Sequence, residues 1–127
     1  MRARLPERAP DQATDLCGLD DIADGAGRAF RCGDGAMAYG VIVVRRGDHV
    51  WAYANNCPHN HIPLDLLHPR FVTHDGEWIV CSTHEAVFRF EDGHCEDGPC
   101  KGRSLEPVAI TVIAGRVHVD PVPDPNA

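Results

Sequence analysis

The sequence predicts an antiparallel all-β domain. Short apolar segments alternate with Gly, Asp, Asn and Pro clusters, no stretch keeps a helical period, and no βαβ alternation is present. The first candidate strand is Leu16–Leu19, followed by a short helical turn at Asp20–Ala23. Arg28–Cys32 comes next. Met37–Arg45 and His49–Asn55 then form a hairpin across Arg46-Gly47-Asp48, where glycine supplies the positive φ that tight hairpin turns need. A second helical turn is expected near Leu64–Leu67. Trp78–Cys81 and Val87–Phe90 follow, and Glu91-Asp92-Gly93 turns the chain back. Ala109–Ile113 and Val117–Asp120 close the series across Ala114-Gly115. Phe88 and Phe90 alternate with polar neighbours, so their face should be core, and Trp51 and Trp78 should pack in the core or at a sheet edge.

Length and composition set the outer bounds. A chain of 127 residues with 43% hydrophobic residues is one domain with a real core. Residues 1–14 are rich in Pro, Arg and Ala and read as a flexible tail. The domain is expected over 15–120, and the proline-containing stretch 121–127 reads as a C-terminal tail. Twelve Lys and Arg against 19 Asp and Glu give a net charge of −7, which argues against nucleic-acid binding. The longest apolar run, Ala36 to Val44, stops at Arg45-Arg46, so no membrane partner is expected. The N-terminal stretch has no apolar signal core, which points to the cytoplasm. The six cysteines, at 17, 32, 57, 81, 95 and 100, are then better read as metal ligands plus free thiols than as three disulfides.

Two short motifs concentrate the chemistry. Cys57-Pro58-His59 is separated by 21 residues (60–80) from Cys81-Ser82-Thr83-His84. Each supplies one thiolate and one imidazole from a loop that leaves a predicted strand, giving a four-ligand Cys2His2 set in two halves. Two sulfide-bridged irons can use such a set, with both cysteines on one iron and both histidines on the other. A structural zinc ion takes the same residue types, but zinc sites more often use C-x-x-C knuckles, and C-x-H is cramped for one tetrahedral ion. Asp97-Gly98-Pro99 is a third turn placed to cover the side of the site.

With these residues the chain resembles the Rieske-type [2Fe-2S] proteins, and more closely their small soluble ferredoxins than their membrane-complex members. The likeness runs from about Leu16 to Val119. It rests on Asn56-Cys57-Pro58-His59 with Pro63-Leu64, on Cys81-x-x-His84 with Ala86-Val87-Phe88, and on Gly98-Pro99, Leu105 and Gly115-Arg116-Val117-His118-Val119. The resemblance implies stacked antiparallel sheets with a cluster-binding subdomain, about 55–103, made of two ligand loops. It implies one [2Fe-2S] cluster held by Cys57, His59, Cys81 and His84, with the imidazoles facing outward and able to couple electron uptake to protonation. Two positions depart from the family pattern: His61 and Glu85 stand where glycines are usual. Glu85, beside His84, is placed to favour a protonated imidazole. The extra cysteines of membrane-complex members correspond to Ile62 and Thr83, and the serine that donates to a sulfide corresponds to Ala86. With neither feature the midpoint potential should fall toward the low end of a range of about −150 to +300 mV.

The implied role is a monomeric one-electron carrier rather than an enzyme. Its donor would be a flavin or iron–sulfur reductase, and its acceptor a ring-hydroxylating oxygenase or similar protein. Docking would use the face around His59 and His84, bordered by His61, Pro63 and Glu85. A redox-sensing or accessory subunit and a structural zinc module are the alternatives. A second metal site from His61, His68, His74 and His94 with Asp65 or Asp75 is disfavoured against solvated loop histidines. Cys95 and Cys100 are read as free thiols, one of them near the cluster, rather than as a redox pair. Lys101-Gly102-Arg103 is read as a turn.

Overall fold

The computed structural model describes residues 14–32, 39–58, 62–66, 70–81 and 86–120. It is nearly all β, and every sheet is antiparallel. Two compact units share the chain: Met1–Asp21 with Ala109–Ala127, and Ile22–Val108. Within the described residues the elements are β1 (Thr14–Gly18), a 3-10 turn (Leu19–Asp21), β2 (Gly27–Cys32), β3 (Tyr39–Arg46), β4 (His49–Ala54), β5 (Trp78–Val80), β6 (Val87–Arg89), β7 (Cys95–Asp97), β8 (Ile110–Ile113) and β9 (Arg116–Val119).

Eight of these strands lie where the apolar runs predicted them, with ends displaced by a residue or two; Met37 and Ala38, the expected start of the third, lie outside the described residues. The ninth, β7, has no counterpart among the expected strands; only its last residue, Asp97, falls in the turn expected at Asp97-Gly98-Pro99. Its sequence, Cys-Glu-Asp, has little intrinsic strand preference, and pairing with β6 imposes the extended form. Around residue 64 the chain makes a turn rather than a helix, and Leu67 lies outside the described residues. The N-terminal helical turn begins one residue earlier than expected, at Leu19. Thr14 belongs to β1. The remainder of the N-terminal tail and the whole of 121–127 lie outside the described residues.

The larger unit holds two three-stranded sheets, ordered β2-β3-β4 and β5-β6-β7. β3 is the central strand of the first, and its Val41-Ile42-Val43-Val44 run is fully buried. A β-branched run suits a strand covered on both faces. One continuous core gathers Ile42, Val44, Tyr53, Ile79, Phe88, Phe90 and Leu105 with the thiols of Cys57, Cys81, Cys95 and Cys100. Arg46 straps the two sheets together from outside. Its guanidinium lies 4.5 Å from the Phe90 ring centroid and 5.9 Å from that of Trp51. The same group donates to the Glu91 carboxylate at 2.9 Å and to the Glu77 carbonyl at 3.1 Å.

The smaller unit carries the sheet β1-β9-β8. Arg116 on β9 grips the Asp15 carboxylate of β1 through Nε and Nη2 at 3.0 to 3.1 Å. Val117 and Val119 are buried, while Val112 and Ile113 on the edge strand are exposed.

Candidate metal centre

The two candidate ligand loops belong to different sheets of the larger unit. Loop 1 leaves β4, and loop 2 joins β5 to β6. They are closed in the same way. The Cys57 N–H donates to the Ile62 carbonyl at 2.8 Å, and the Cys81 N–H donates to the Ala86 carbonyl at 3.0 Å. In each case a cysteine bonds to the residue five positions on. Both cysteine side chains are buried, at 0% and 1% exposure, in one apolar core. Each motif histidine therefore lies, by its position in the chain, inside a short closed loop whose first residue is a buried thiol.

Asn55 fixes the far side of loop 1. Its side-chain oxygen accepts from the Leu64 N–H at 2.7 Å, and its amide nitrogen donates to Asp65 at 3.0 Å. Leu64 is fully buried, so this pair of bonds anchors the loop exit to the core.

A third loop, residues 97–103, follows β7 and braces both others. Arg103 Nη1 donates to the Pro58 carbonyl at 3.0 Å, in the residue between Cys57 and His59. Gly98 adopts φ +103°, and a Cβ there would lie 2.7 Å from Ala86 Cα, so only glycine permits this approach to loop 2. Beneath the loop, Cys100 Sγ is 3.4 Å from Cys95 Sγ. Burial pushes the Cys100 thiol up to about 12, and hydrogen bonds with Cys95 and Cys57 add to that effect.

Of the four sequence-predicted ligands, the structure brings Cys57 and Cys81 into one core. His59 and His84 lie outside the described residues, as do His61 and Glu85. Two thiols buried at the mouths of matching loops, with an apolar wall behind them, fit the cysteine half of a [2Fe-2S] donor set. The second metal reading involves His74, His94, Asp65 and Asp75 among the described residues. Among the described residues no three His, Cys, Asp or Glu side chains come together as a metal site. Asp65 accepts from Asn55, and Asp75 accepts from the Thr73 hydroxyl and the Glu77 N–H. His61 and His68 are outside the described residues.

Sequence reasoning missed Arg103 and Asn55. Nothing local to Lys101-Gly102-Arg103 reveals a partner 45 residues away. Asn55 had a usable signal, since an asparagine at a strand end commonly caps the turn that follows.

A β unit that presents two like loops, each headed by a buried cysteine and carrying a histidine, defines a class of metal-cluster protein. The family model of the Rieske [2Fe-2S] domain matches residues 12–117, and the chain belongs to that family. The family's cofactor is a [2Fe-2S] cluster, a one-electron centre, and it makes this chain an electron-transfer protein. The ferredoxin of carbazole 1,9a-dioxygenase from Nocardioides aromaticivorans IC177 is 28% identical, with 87% of this chain and 99% of that one aligned at a TM-score of 0.69. A structure of the complex of reduced oxygenase and oxidized ferredoxin in carbazole 1,9a-dioxygenase gives 25% identity, 86% and 93% coverage and a TM-score of 0.66. A Mycobacterium tuberculosis chain described as an NADH-dependent nitrite reductase small subunit shares the fold, at 24% identity, 88% and 96% coverage and a TM-score of 0.65. No curated protein sequence matches the chain. No helix among the described residues is long and apolar enough to cross a membrane.

Proposed function

We propose that this chain carries single electrons from a flavin or iron–sulfur reductase to a terminal oxygenase, with Cys57, His59, Cys81 and His84 as the cluster ligands. The observation that carries the ligand assignment is the matched closure of the two loops, Cys57 N–H to Ile62 and Cys81 N–H to Ala86, over two buried thiols in one core. When bound, the cluster supplies a one-electron couple. The chain's own residues hold and orient it. Cys57 and Cys81 supply thiolates from the core side, and the loop closures fix where those sulfurs stand. Arg103 holds the Pro58 carbonyl, in the residue that follows Cys57. Pro63 is exposed at the exit of loop 1 and lies on the proposed docking face.

The oxygenase partner is supported by the ferredoxin–oxygenase pairing of a structural neighbour with this fold. Contacts of this kind are small and short-lived, which suits a shuttle. The absence of a side-chain donor at Ala86 supports a low potential, and a midpoint well above zero millivolts would overturn that part of the reading.

The test begins with the purified protein. A red-brown colour and a Rieske electron paramagnetic resonance signal are expected, whereas a colourless zinc-bound protein would refute the cluster assignment. Cys57→Ser, Cys81→Ser, His59→Ala and His84→Ala should each abolish the signal. Reduction by an NADH-dependent flavin reductase and onward transfer to a ring-hydroxylating oxygenase at catalytic rates would support the carrier role. A partner retained in only one redox state, without turnover, would point instead to a sensor.

A further inference from the structure

We propose that the free edge of β2, with the groove beside it, docks an extended, carboxylate-bearing segment of the protein's electron-transfer partner. Arg31 takes the carboxylate, and the partner's backbone adds to the three-stranded sheet as a further strand. This rests on the electron-carrier reading and adds to it the chemistry by which a partner is recognised.

The groove is built from both faces of that reading. Ala29 and Arg31 of β2, Gly40 of β3, Asn55 just after β4, and Pro63 and Asp65 at the exit of loop 1 enclose about 390 Å³. Gly40 stands opposite Arg31 in the pairing of β2 with β3, and its lack of a side chain leaves the floor open. A Cβ there would come within 3.2 Å of the Asn55 Cβ and would close the gap. The far wall is the Asn55 brace, whose side chain holds the Leu64 N–H and the Asp65 carboxylate. Pro63 is exposed and belongs both to this wall and to the proposed docking face, so the groove continues that face.

Backbone and charge point to the same occupant. β2 is an edge strand with β3 on one side only. Every second backbone N–H and C=O of such a strand points away from its sheet. Among the described residues no loop bonds to that side of β2 between Arg28 and Cys32, and Arg28, Ala29 and Arg31 are exposed. The chain carries −7 overall. Arg45, Arg46, Arg70, Arg89, Arg103 and Arg116 are all engaged within the fold. Arg31 has no such bond among the described residues. An unengaged guanidinium beside unpaired strand groups fits a carboxylate carried on an extended segment. Asp65 on the opposite wall repels a second carboxylate, which fixes the side of the groove the acid takes. Alternation along β2 places Arg28 and Arg31 on opposite faces of the sheet. Arg28 lies instead 5.3 Å from the Phe30 ring centroid, and it serves as the control.

The experiment is fluorescence anisotropy with a fluorescein-labelled octapeptide of alternating valine and glutamate, on the full-length, cluster-loaded protein. Saturable binding that weakens with salt is expected. Arg31→Gln should weaken it by about threefold or more. Arg28→Gln removes the same charge from the other face and should leave it unchanged. Glutamine in place of the peptide's glutamates should weaken binding as much as Arg31→Gln. Prolines at two adjacent central positions should abolish it, since one of them removes a ladder donor. In the reductase and oxygenase assay, Arg31→Gln should raise the carrier concentration for half-maximal rate by a similar factor, with the maximal rate and visible spectrum unchanged.

Absence of saturable binding, or a loss below about threefold in Arg31→Gln, would overturn the proposal. So would an equal loss in Arg28→Gln, which would reduce both arginines to protection of a sheet edge. Tighter binding in Asp124→Asn would make the chain's own C-terminal stretch the occupant, and a dimer that the peptide dissociates would make it a second copy; either would overturn the assignment to a partner. Failure of the electron-carrier reading is separate. It shows as a missing Rieske signal or absent turnover, and peptide binding needs neither.

Discussion

Gly98→Ala should loosen the metal centre without touching a proposed ligand, and Gly102→Ala is its internal control. Both glycines sit at positive φ in the same loop, +103° and +93°. A side chain at either position meets left-handed backbone strain of about 1–2 kcal/mol. At Gly102 nothing lies within 4 Å of an added Cβ, so strain is the whole effect. At Gly98 the new atom would be 2.7 Å from Ala86 Cα and 3.3 Å from Ala86 N, both backbone atoms that cannot rotate aside. Overpacking of this kind costs a further ~1–3 kcal/mol. The relief comes when loop 3 lifts off loop 2 at Ala86. Because loss of an iron–sulfur cluster is irreversible, the fitting measure is a rate: decay of visible absorbance at fixed urea concentration. Gly102→Ala should decay modestly faster than wild type. Gly98→Ala should be faster again by roughly fivefold to a hundredfold, at about 1.4 kcal/mol per tenfold. Equal rates for the two variants would refute the claim that loop 3 braces loop 2 through this contact.

Two further outcomes follow from the packing. Tyr53→Phe keeps the buried ring but removes the hydroxyl that donates to the Phe90 carbonyl, and should lower the urea unfolding midpoint by an amount worth about 1–3 kcal/mol; an unchanged midpoint would show that carbonyl to be satisfied without Tyr53. In the smaller unit the Arg116 guanidinium holds the Asp15 carboxyl below its ordinary value of 3.8. The folded state therefore binds that proton less readily than the unfolded chain. Its stabilising contribution is present above pH 3.8 and is lost as the pH falls through the lower folded-state value. Both side chains are exposed, so the effect is small. Asp15→Asn should flatten the acid limb of a thermal-unfolding profile, and an identical limb in the variant would remove the pair from the account.

The strands were legible because their signals are local. Val41–Val44 is a β-branched run, Gly47 and Gly93 mark turns, and Phe88 and Phe90 alternate across β6 and into the turn that follows. β7 was not legible, since Cys95-Glu96-Asp97 is extended by its pairing to Phe88 and Val87 and not by its own preferences. The proposed metal site shows the same division. Cys57 and Cys81 announce themselves by spacing to a histidine. The groups that hold their loops do not, because Arg103 reaches Pro58 and Gly98 reaches Ala86 across long stretches of sequence. A basic residue in a turn looks the same whether it meets water or a carbonyl of a ligand loop.

That division also explains why loop 3 matters more than its modest composition suggests. Loop 1 leaves the sheet β2-β3-β4, and loop 2 lies within the sheet β5-β6-β7, so neither loop fixes the position of the other. A cluster bound across both would join them, but it can bind tightly only if the thiols already stand close to the required places. Loop 3 meets that need before loading. Arg103 holds the carbonyl next to Cys57, Gly98 lies flush against Ala86, and Cys100 is buried in the same core as Cys57. Each contact reduces the disorder that binding must otherwise remove, which strengthens binding without adding a ligand. A group that binds the folded chain stabilises it in turn, so bracing and cluster reinforce each other. Weakening loop 3 should therefore show first as faster cluster loss, and only afterwards as unfolding of the sheets.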